Sequence, residues 1–586
     1  MNTWNLDILY KGFDDPAFEA DYAAFEQAIE RLKTYLPTFA SDNHTAAVLK
    51  NFLHDTALLE ALTDKLIHFA SLRSSTDSTD SAAQKTMNRI QTTMTKLTET
   101  NTRFRKWLAA YPDLDRAIAN DAALADHRFY LHERVDEAKR MKDEATETLI
   151  AKLRQTGSTA WGRLQALLTS TLSVEYRGGT VTLSEVRNLA YDKDPSVRKD
   201  AYEAELAAYA KIEPSIAFAL NAIKGEVNVL SEVRGFASPL HQALDSGRLR
   251  EATLEALLST MKEYFPTFRQ YLKRKAKLLG HAGGLPFYDL FAPIGAMTKT
   301  YSIEEAQAVI LRNFATFSPR LHAMAARAFD ERWIDYLPKK GKVGGAFCAN
   351  MPSIKQSRVL TNFDGSFGDI ITIAHELGHA YHGEAIFGES ILNTDYTMPV
   401  AETASIFCET IVKEAALRDS TDPNERLGIL EASLQDSTQV IVDILSRFQF
   451  EKAVFDGRRT TLFNEHELKQ LMLDAQKATY GDGLDETKLH PYMWVCKGHY
   501  YRGGLSYYNF PYAYGLLFAR GLYAQYLKNP VEFVPRYDAL LAATGKMSCE
   551  DVAKLAGIDV TSQAFWRDSL EGIRRDVERF LAWTEQ

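Results

Sequence analysis

Two histidines four residues apart, His375 and His379, with Glu376 beside the first, lie in the stretch DIITIAHELGHAYHG from Asp369 to Gly383. On a helix these imidazoles stand one turn apart on one face, where both can reach a single metal ion. Glu376 is turned about 100° around the axis, so it can approach water on the ion without becoming a ligand. The flanking residues have the pattern such a helix needs. Ile370, Ile373, Ala374, Leu377, Ala380 and Tyr381 form an apolar stripe around the ligand face, and Asp369 is placed to serve the first turn. Two core histidines satisfied by backbone carbonyls are the ordinary alternative, and a third ligand separates the two cases.

Catalytic zinc takes three protein ligands and keeps a fourth position for water. The HExxHxxGxxH arrangement is excluded, because His382 stands where it needs glycine and Ala385 where it needs the third histidine. Glu384 and Glu389 are too close in sequence to fold back from a continuing helix. Glu402 follows a turn-like stretch around Asn393 to Pro399 and opens a second helical pattern, AETASIFCETIVKEAAL, with Glu409 seven residues on along the same face. Glu402 is therefore expected as the third ligand, and Glu409 as an acceptor for the far nitrogen of a ligating imidazole. Two surface glutamates on an amphipathic helix are the competing interpretation.

HELGHAYH followed by VAETASIFCE resembles the zinc site of the thimet oligopeptidase and oligoendopeptidase F family, most closely its bacterial oligoendopeptidase F branch. The likeness continues through GGAFC at Gly344–Cys348, TNFDGSFGD at Thr361–Asp369, a tyrosine-rich segment near Tyr508 and an opening like WNLDILY at Trp4–Tyr10. The resemblance implies one Zn²⁺ per chain held by His375, His379 and Glu402, with Glu376 as general base. It also implies that His499, Tyr508 and Tyr512 of HYYRGGLSYYNFPYAYG contact substrate and oxyanion. The spacing from His499 to Tyr508 is longer than in the mammalian-type branch, so Tyr501, Tyr507 and Tyr514 stand as rivals, and an aromatic cluster of this kind is often simply core.

These residues must be positioned by a mostly helical chain. Asp15 and Pro16 start a helix marked by Phe18, Tyr22, Phe25, Ile29, Leu32 and Leu36, which Pro37 is expected to stop. Amphipathic patterns run on from Ala46 to about Ala110, crossing a polar patch at Ser74–Ser81 that reads as a loop or a wet helix face. Asp136–Gln155 is heavily charged and periodic, which marks a solvated helix face. Alternation around Gly178 and Gly179 predicts a short hairpin within Leu172–Leu183, and Asp194–Pro195 begin a further helix through Tyr209. Gly280–Pro286 is the clearest loop. KKGKVGGAFCANMPSIKQSRVLTNFDGS, just before the metal helix, has the glycines and extended runs of a small sheet. By resemblance this sheet lines the cleft, and Gly344, Gly345, Ala346 and Phe347 at its edge pair with the backbone of an extended peptide.

Composition bounds the rest. The chain has 586 residues, enough for more than one lobe. Its net charge of −9 argues against nucleic acid or an anionic membrane as partner. No segment approaches the length of apolar run that a membrane span needs, and Met1–Phe25 has no charged and apolar leader pattern. Cys348, Cys408, Cys496 and Cys549 are widely spaced, with neither a disulfide framework nor a CxxC metal signature, which fits a reducing cytoplasm. Nothing in the sequence specifies an oligomeric state.

The expected fold is mainly α, a multi-helical two-lobed zincin-type metallopeptidase with a small β-sheet beside the HExxH helix and a deep active-site channel. An N-terminal helical region is expected over 1–195 and a catalytic unit over 196–586. The expected function is zinc-dependent cleavage of internal bonds in short peptides. A zinc carboxypeptidase of related helical type and a non-catalytic, zinc-stabilised peptide-binding protein are the alternatives. Glu376 argues against the second, since a structural site has no use for a base.

Overall fold

Helices form wherever apolar residues recur at three- and four-residue steps behind a capping side chain. In the computed structural model, which describes residues 2–41, 43–295 and 299–585, the first helix is Pro16–Lys33. Asp15 caps it by accepting from the Ala17 N–H at 2.9 Å, and Phe18, Tyr22, Phe25, Ile29 and Leu32 are buried. Pro37 does not stop this helix. The chain leaves it at Thr34, and Pro37 lies in the first turn of a separate short helix, Leu36–Phe39, where a missing N–H costs nothing. Within the polar patch, one helix continues to Thr76 and the next starts at Ser81, capped by Asp80. The charged run at 136–155 is helical and is divided between two helices. Asp143 breaks it by capping Glu144–Thr156, accepting from the Thr146 N–H at 3.0 Å, while Arg128–Arg140 ends before it.

The hairpin consists of β1 (Ser173–Tyr176) and β2 (Gly179–Thr182), antiparallel, with Val174 opposite Val181. Its two turn residues, Arg177 and Gly178, have φ of 47° and 80°, the left-handed pair that matches the twist of a two-residue hairpin. A three-stranded sheet precedes the metal helix: β3 (Ile334–Asp335), β4 (Phe347–Met351) and β5 (Gln356–Leu360). Their order is β3-β5-β4, with β4 antiparallel and β3 parallel to β5. β3 is too short to leave a periodic signal in the sequence.

Apolar side chains gather into two cores, one from Trp4 to Leu131 joined by Met351 and Leu360, the other from Leu172 to Phe580. Packing changes partner upstream of residue 195, because Leu172, Val174, Leu183 and Val186 bury against the larger core. The small sheet lies at the seam: Met351 and Leu360 belong to the first core and Val359 to the second. No helix among the described residues is long and apolar enough to cross a membrane.

The metal helix runs Phe367–Ile386. Ser366 caps it and Asp369 completes a reciprocal capping box, its carboxylate accepting from the N–H groups of Asp364, Gly365 and Ser366 at 3.0–3.1 Å. The helix is crossed closely by Thr403–Asp419. A Cβ on Gly378 would lie 2.5 Å from both the Ala404 carbonyl oxygen and the Ser405 Cα, so only glycine allows this approach. Gly378→Ala is expected to force the two helices apart at about 1–3 kcal/mol of stability, read as a lowered denaturation midpoint together with weakened metal retention. An unchanged midpoint would show that the crossing can give way.

Candidate metal centre

The crossing brings a carboxylate to two imidazoles. Glu402 occupies the break between Met398–Ala401 and Thr403–Asp419, so its side chain leaves the chain at a helix junction rather than along a helix face. Its Oε2 is 3.2 Å from His375 Nε2 and 3.5 Å from His379 Nε2. Among the described residues these three form the one group of at least three His, Cys, Asp or Glu side chains whose ligand atoms all lie within 4.8 Å of one another. Ser405 steadies the carboxylate by donating to Glu402 Oε2 at 2.8 Å. Behind the ligands, His375 Nδ1 is 3.1 Å from Glu409 Oε2, which fixes the ring so that Nε2 faces Glu402. The other candidates are engaged elsewhere, Glu384 with Arg327 and Glu389 with Lys546.

Two residues that the sequence did not single out complete the support. Lys413, four residues after Glu409 on the same helix, donates to Glu409 Oε1 at 3.0 Å and also lies 3.5 Å from Asp436. The i,i+4 spacing was the available signal. Asn350 on β4 donates to the His379 carbonyl at 3.1 Å and accepts from Ser357 at 2.7 Å, tying the sheet to the ligand turn.

The electrostatics follow from this packing. Burial pushes the Glu402 carboxyl up, but hydrogen bonds and charge from His375 and His379 hold it well below its usual range. Burial disfavours charge on His375, yet Glu402 and Glu409 raise it to about 10. Burial likewise works against the Glu409 carboxylate, while Lys413 and His375 bring it down to about 2. Glu376 is different. Burial raises it, His379 and His375 offset that only in part, and it forms no hydrogen bond or ion pair among the described residues. Two imidazole nitrogens and one carboxylate oxygen, converging with a free carboxylate beside them, are a donor set that fits zinc with one position left for water.

His375, Glu376, Glu409 and Lys413 line a cavity of about 380 Å³ together with Ala346, just before β4. Gly344 and Gly345 are exposed, Ala346 and Phe347 half-buried, and the outer edge of β4 has no ladder partner among the described residues. On the Tyr side, the rings of His499 and Tyr508 are 6.2 Å apart and those of Tyr508 and Tyr512 are 5.5 Å apart, edge to face. Tyr512 is near enough to Glu402 for that charge, after burial and Tyr508, to raise its hydroxyl. Gly515, one turn on, would put a Cβ 2.9 Å from Glu402 Cβ. The rivals are built into the interior: Tyr501 donates to the Trp494 carbonyl at 3.0 Å, Tyr507 stacks on Phe455, and Tyr514 packs edge-on against Trp566.

Comparison with known proteins places this geometry. The model of peptidase family M3 matches residues 188–572, and a model described as Oligopeptidase F matches residues 110–173. The chain is 28% identical over 383 residues to Group B oligopeptidase PepB of Streptococcus agalactiae, covering 64% of this chain and 62% of that relative's length. It is 24% identical over 575 residues to oligopeptidase PepF of Bacillus subtilis, covering 96% of this chain and 84% of the relative. The crystal structure of oligoendopeptidase-F from Enterococcus faecium superposes with a TM-score of 0.71 at 19% identity, over 96% of this chain and 99% of that one, a likeness of fold.

Glu402→Ala should reduce zinc affinity well beyond the roughly 10–100-fold typical of losing an outer partner, the effect expected of Glu409→Ala. Metal analysis after dialysis measures both. Full zinc in the Glu402 variant would place the third ligand elsewhere.

Proposed function

Because the chain belongs to peptidase family M3, a family of metallopeptidases, we propose that it is a zinc-dependent oligoendopeptidase acting on internal bonds of short, unstructured peptides. The observation that carries this is the convergence of His375, His379 and Glu402 beside a carboxylate, Glu376, that nothing else engages. These three residues would hold the ion, with Glu409 orienting His375. When bound, the ion polarises the scissile carbonyl and lowers the pKa of its water toward about 7.

Glu376 takes the proton of the attacking water and hands it to the leaving amine. Its raised affinity for protons suits both halves of that transfer. The oxyanion is met by neutral donors. Burial, followed by Arg447 and Lys224, lowers His499 to about 3, so the ring stays uncharged, and its buried Nε2 has no partner. Tyr512 keeps its proton because burial, Tyr508 and Glu402 all raise it, and Tyr508 stands between the two. The free edge of β4, reached through Gly344, Gly345, Ala346 and Phe347, offers main-chain pairing to an extended substrate without reading its side chains. We assign these residues to a catalytic unit over 196–586, with the N-terminal helices walling one side of a channel that folded proteins do not enter. Four free thiols, two of them buried, suit a reducing cytoplasm.

Glu376→Gln keeps the side chain's shape and removes the base. It should retain zinc and peptide binding while losing at least about 100-fold in kcat, with zinc content and turnover measured on one preparation. Near-normal turnover would remove Glu376 from the mechanism. An end-blocked, internally quenched peptide should be cut in a chelator-sensitive way, whereas a carboxypeptidase would leave it intact. Casein should survive the same incubation, and its rapid degradation would refute the channel.

A further inference from the structure

The segment that carries Tyr508 has little hold on itself. Between Arg502 and Tyr508 the described residues make one backbone hydrogen bond to each other, from the Leu505 N–H to the Arg502 carbonyl at 3.2 Å. Yet Tyr508 lines a cavity of about 330 Å³ with Met398 and Pro399, which lead into Glu402. A donor for an oxyanion is effective only when its place is set in advance. Something outside the segment has to set it.

The two sequence neighbours of Tyr508 are both fastened to one helix. Tyr507, only 2% exposed, has a φ of 54°, a left-handed backbone that a side chain of this size rarely adopts. Its ring stacks on Phe455 at 5.4 Å and lies 5.3 Å from that of Phe448. On the other side, Asn509 is wholly buried and uses both ends of its amide. Oδ1 accepts from the Phe510 N–H at 2.8 Å, capping the helix Phe510–Lys528 that carries Tyr512, and Nδ2 donates to Glu451 Oε2 at 3.1 Å. Phe448, Glu451 and Phe455 follow at steps of three and four on the helix Ile444–Gly457, so one face of it grips the chain on either side of Tyr508.

Glu451 is itself held. Its Oε1 is 2.7 Å from Lys224 Nζ, with both side chains 1% exposed, and that ammonium lies 4.4 Å from the centre of the Phe455 ring. A carboxylate buried this deeply persists only where its oxygens are answered. Here Lys224 answers one and Asn509 the other. Apolar side chains of like volume would fill this place without the desolvation cost, and what they would lack is an acceptor for Asn509.

We propose that Glu451 is a positioning residue for the oxyanion side of the reaction: through Asn509, and backed by Lys224, it holds Tyr508 and Tyr512 where they meet the developing charge, a role that rests on the peptidase and oxyanion assignments above.

Three variants separate position from packing. Asn509→Ser keeps a capping oxygen but is too short to reach Glu451. Lys224→Met/Glu451→Gln removes the ion pair and keeps an acceptor for Asn509, whereas Lys224→Met/Glu451→Leu removes both. Taking out the two partners together avoids a stranded buried charge. With a quenched peptide, Asn509→Ser and the leucine variant should lose at least about tenfold in kcat, with KM within about twofold. Zinc content and denaturation midpoints should stay near wild type, and the glutamine variant should keep most of its kcat. A phosphinic peptide, whose anionic oxygen stands in for the oxyanion, should bind Asn509→Ser and the leucine variant more weakly by the factor lost in kcat. Substrate binding to each variant combined with Glu376→Gln, followed by fluorescence anisotropy, should not change. Unchanged kcat in Asn509→Ser would overturn the proposal, as would a loss that the glutamine variant shares in full or that tracks lost zinc or a lowered midpoint. Should a double variant fail to fold, Asn509→Ser decides alone. Tyr508→Phe and Tyr512→Phe, run alongside, tell the two levels apart. If both leave kcat unchanged, the oxyanion assignment falls and this role of Glu451 with it; if either lowers kcat and Asn509→Ser does not, the role of Glu451 falls alone.

Discussion

Everything at the centre depends on how closely two helices can cross. Glu402 reaches His375 and His379 only because Gly378, between the two histidines, presents no side chain to the Ala404 carbonyl and Ser405. Gly515 does the same on the opposite flank, letting the tyrosine-bearing helix Phe510–Lys528 pass against Glu402. The three elements therefore share one contact point. A methyl group at either glycine sits below any normal carbon contact distance, and interiors packed to crystal-like density have no slack to absorb it.

Burying so many charges at this point is costly unless each is answered. Lys413 donates to Glu409, and Glu409 in turn accepts from His375 Nδ1, so the Glu409 carboxylate is answered from both sides. This pairing holds His375 in one orientation and leaves its Nε2 facing the Glu402 carboxylate. Glu376 stands outside this chain of contacts. It gains burial without a hydrogen-bond partner, which raises a carboxylate's affinity for protons and suits the base role proposed for it.

The metal helix was legible because its signals were local: the four-residue histidine spacing, the apolar stripe and the capping residues all sit within one segment. Glu402 and Glu409 were legible for the same reason, from spacing on the next segment. Asn350 and the seating of Tyr501, Tyr507 and Tyr514 were not, since each is decided by a partner distant in sequence. The misplaced stop at Pro37 and the unmarked break at Asp143 have a shared cause. Proline in a first turn and aspartate at a cap both start helices, and within a charged or apolar run a start is easily mistaken for a stop or for nothing. β3, two residues long, carries no period at all.

β4 links the two cores to the chemistry through its alternation. Phe347, Ala349 and Met351 face the N-terminal core, where Phe347 meets Trp4 at 6.4 Å between ring centres, while Cys348 and Asn350 face the metal helix. A strand's period of two makes this sorting automatic once one face is fixed. Its third feature, the unpaired outer edge, is then fixed as well, because hydrogen-bonding groups point in the plane of the sheet, at right angles to both sets of side chains. The strand proposed to hold substrate backbone is thus the one whose Asn350 grips the His379 carbonyl. Under that proposal, one side chain couples the substrate-pairing edge to the turn that carries His379, so the two are positioned by the same strand.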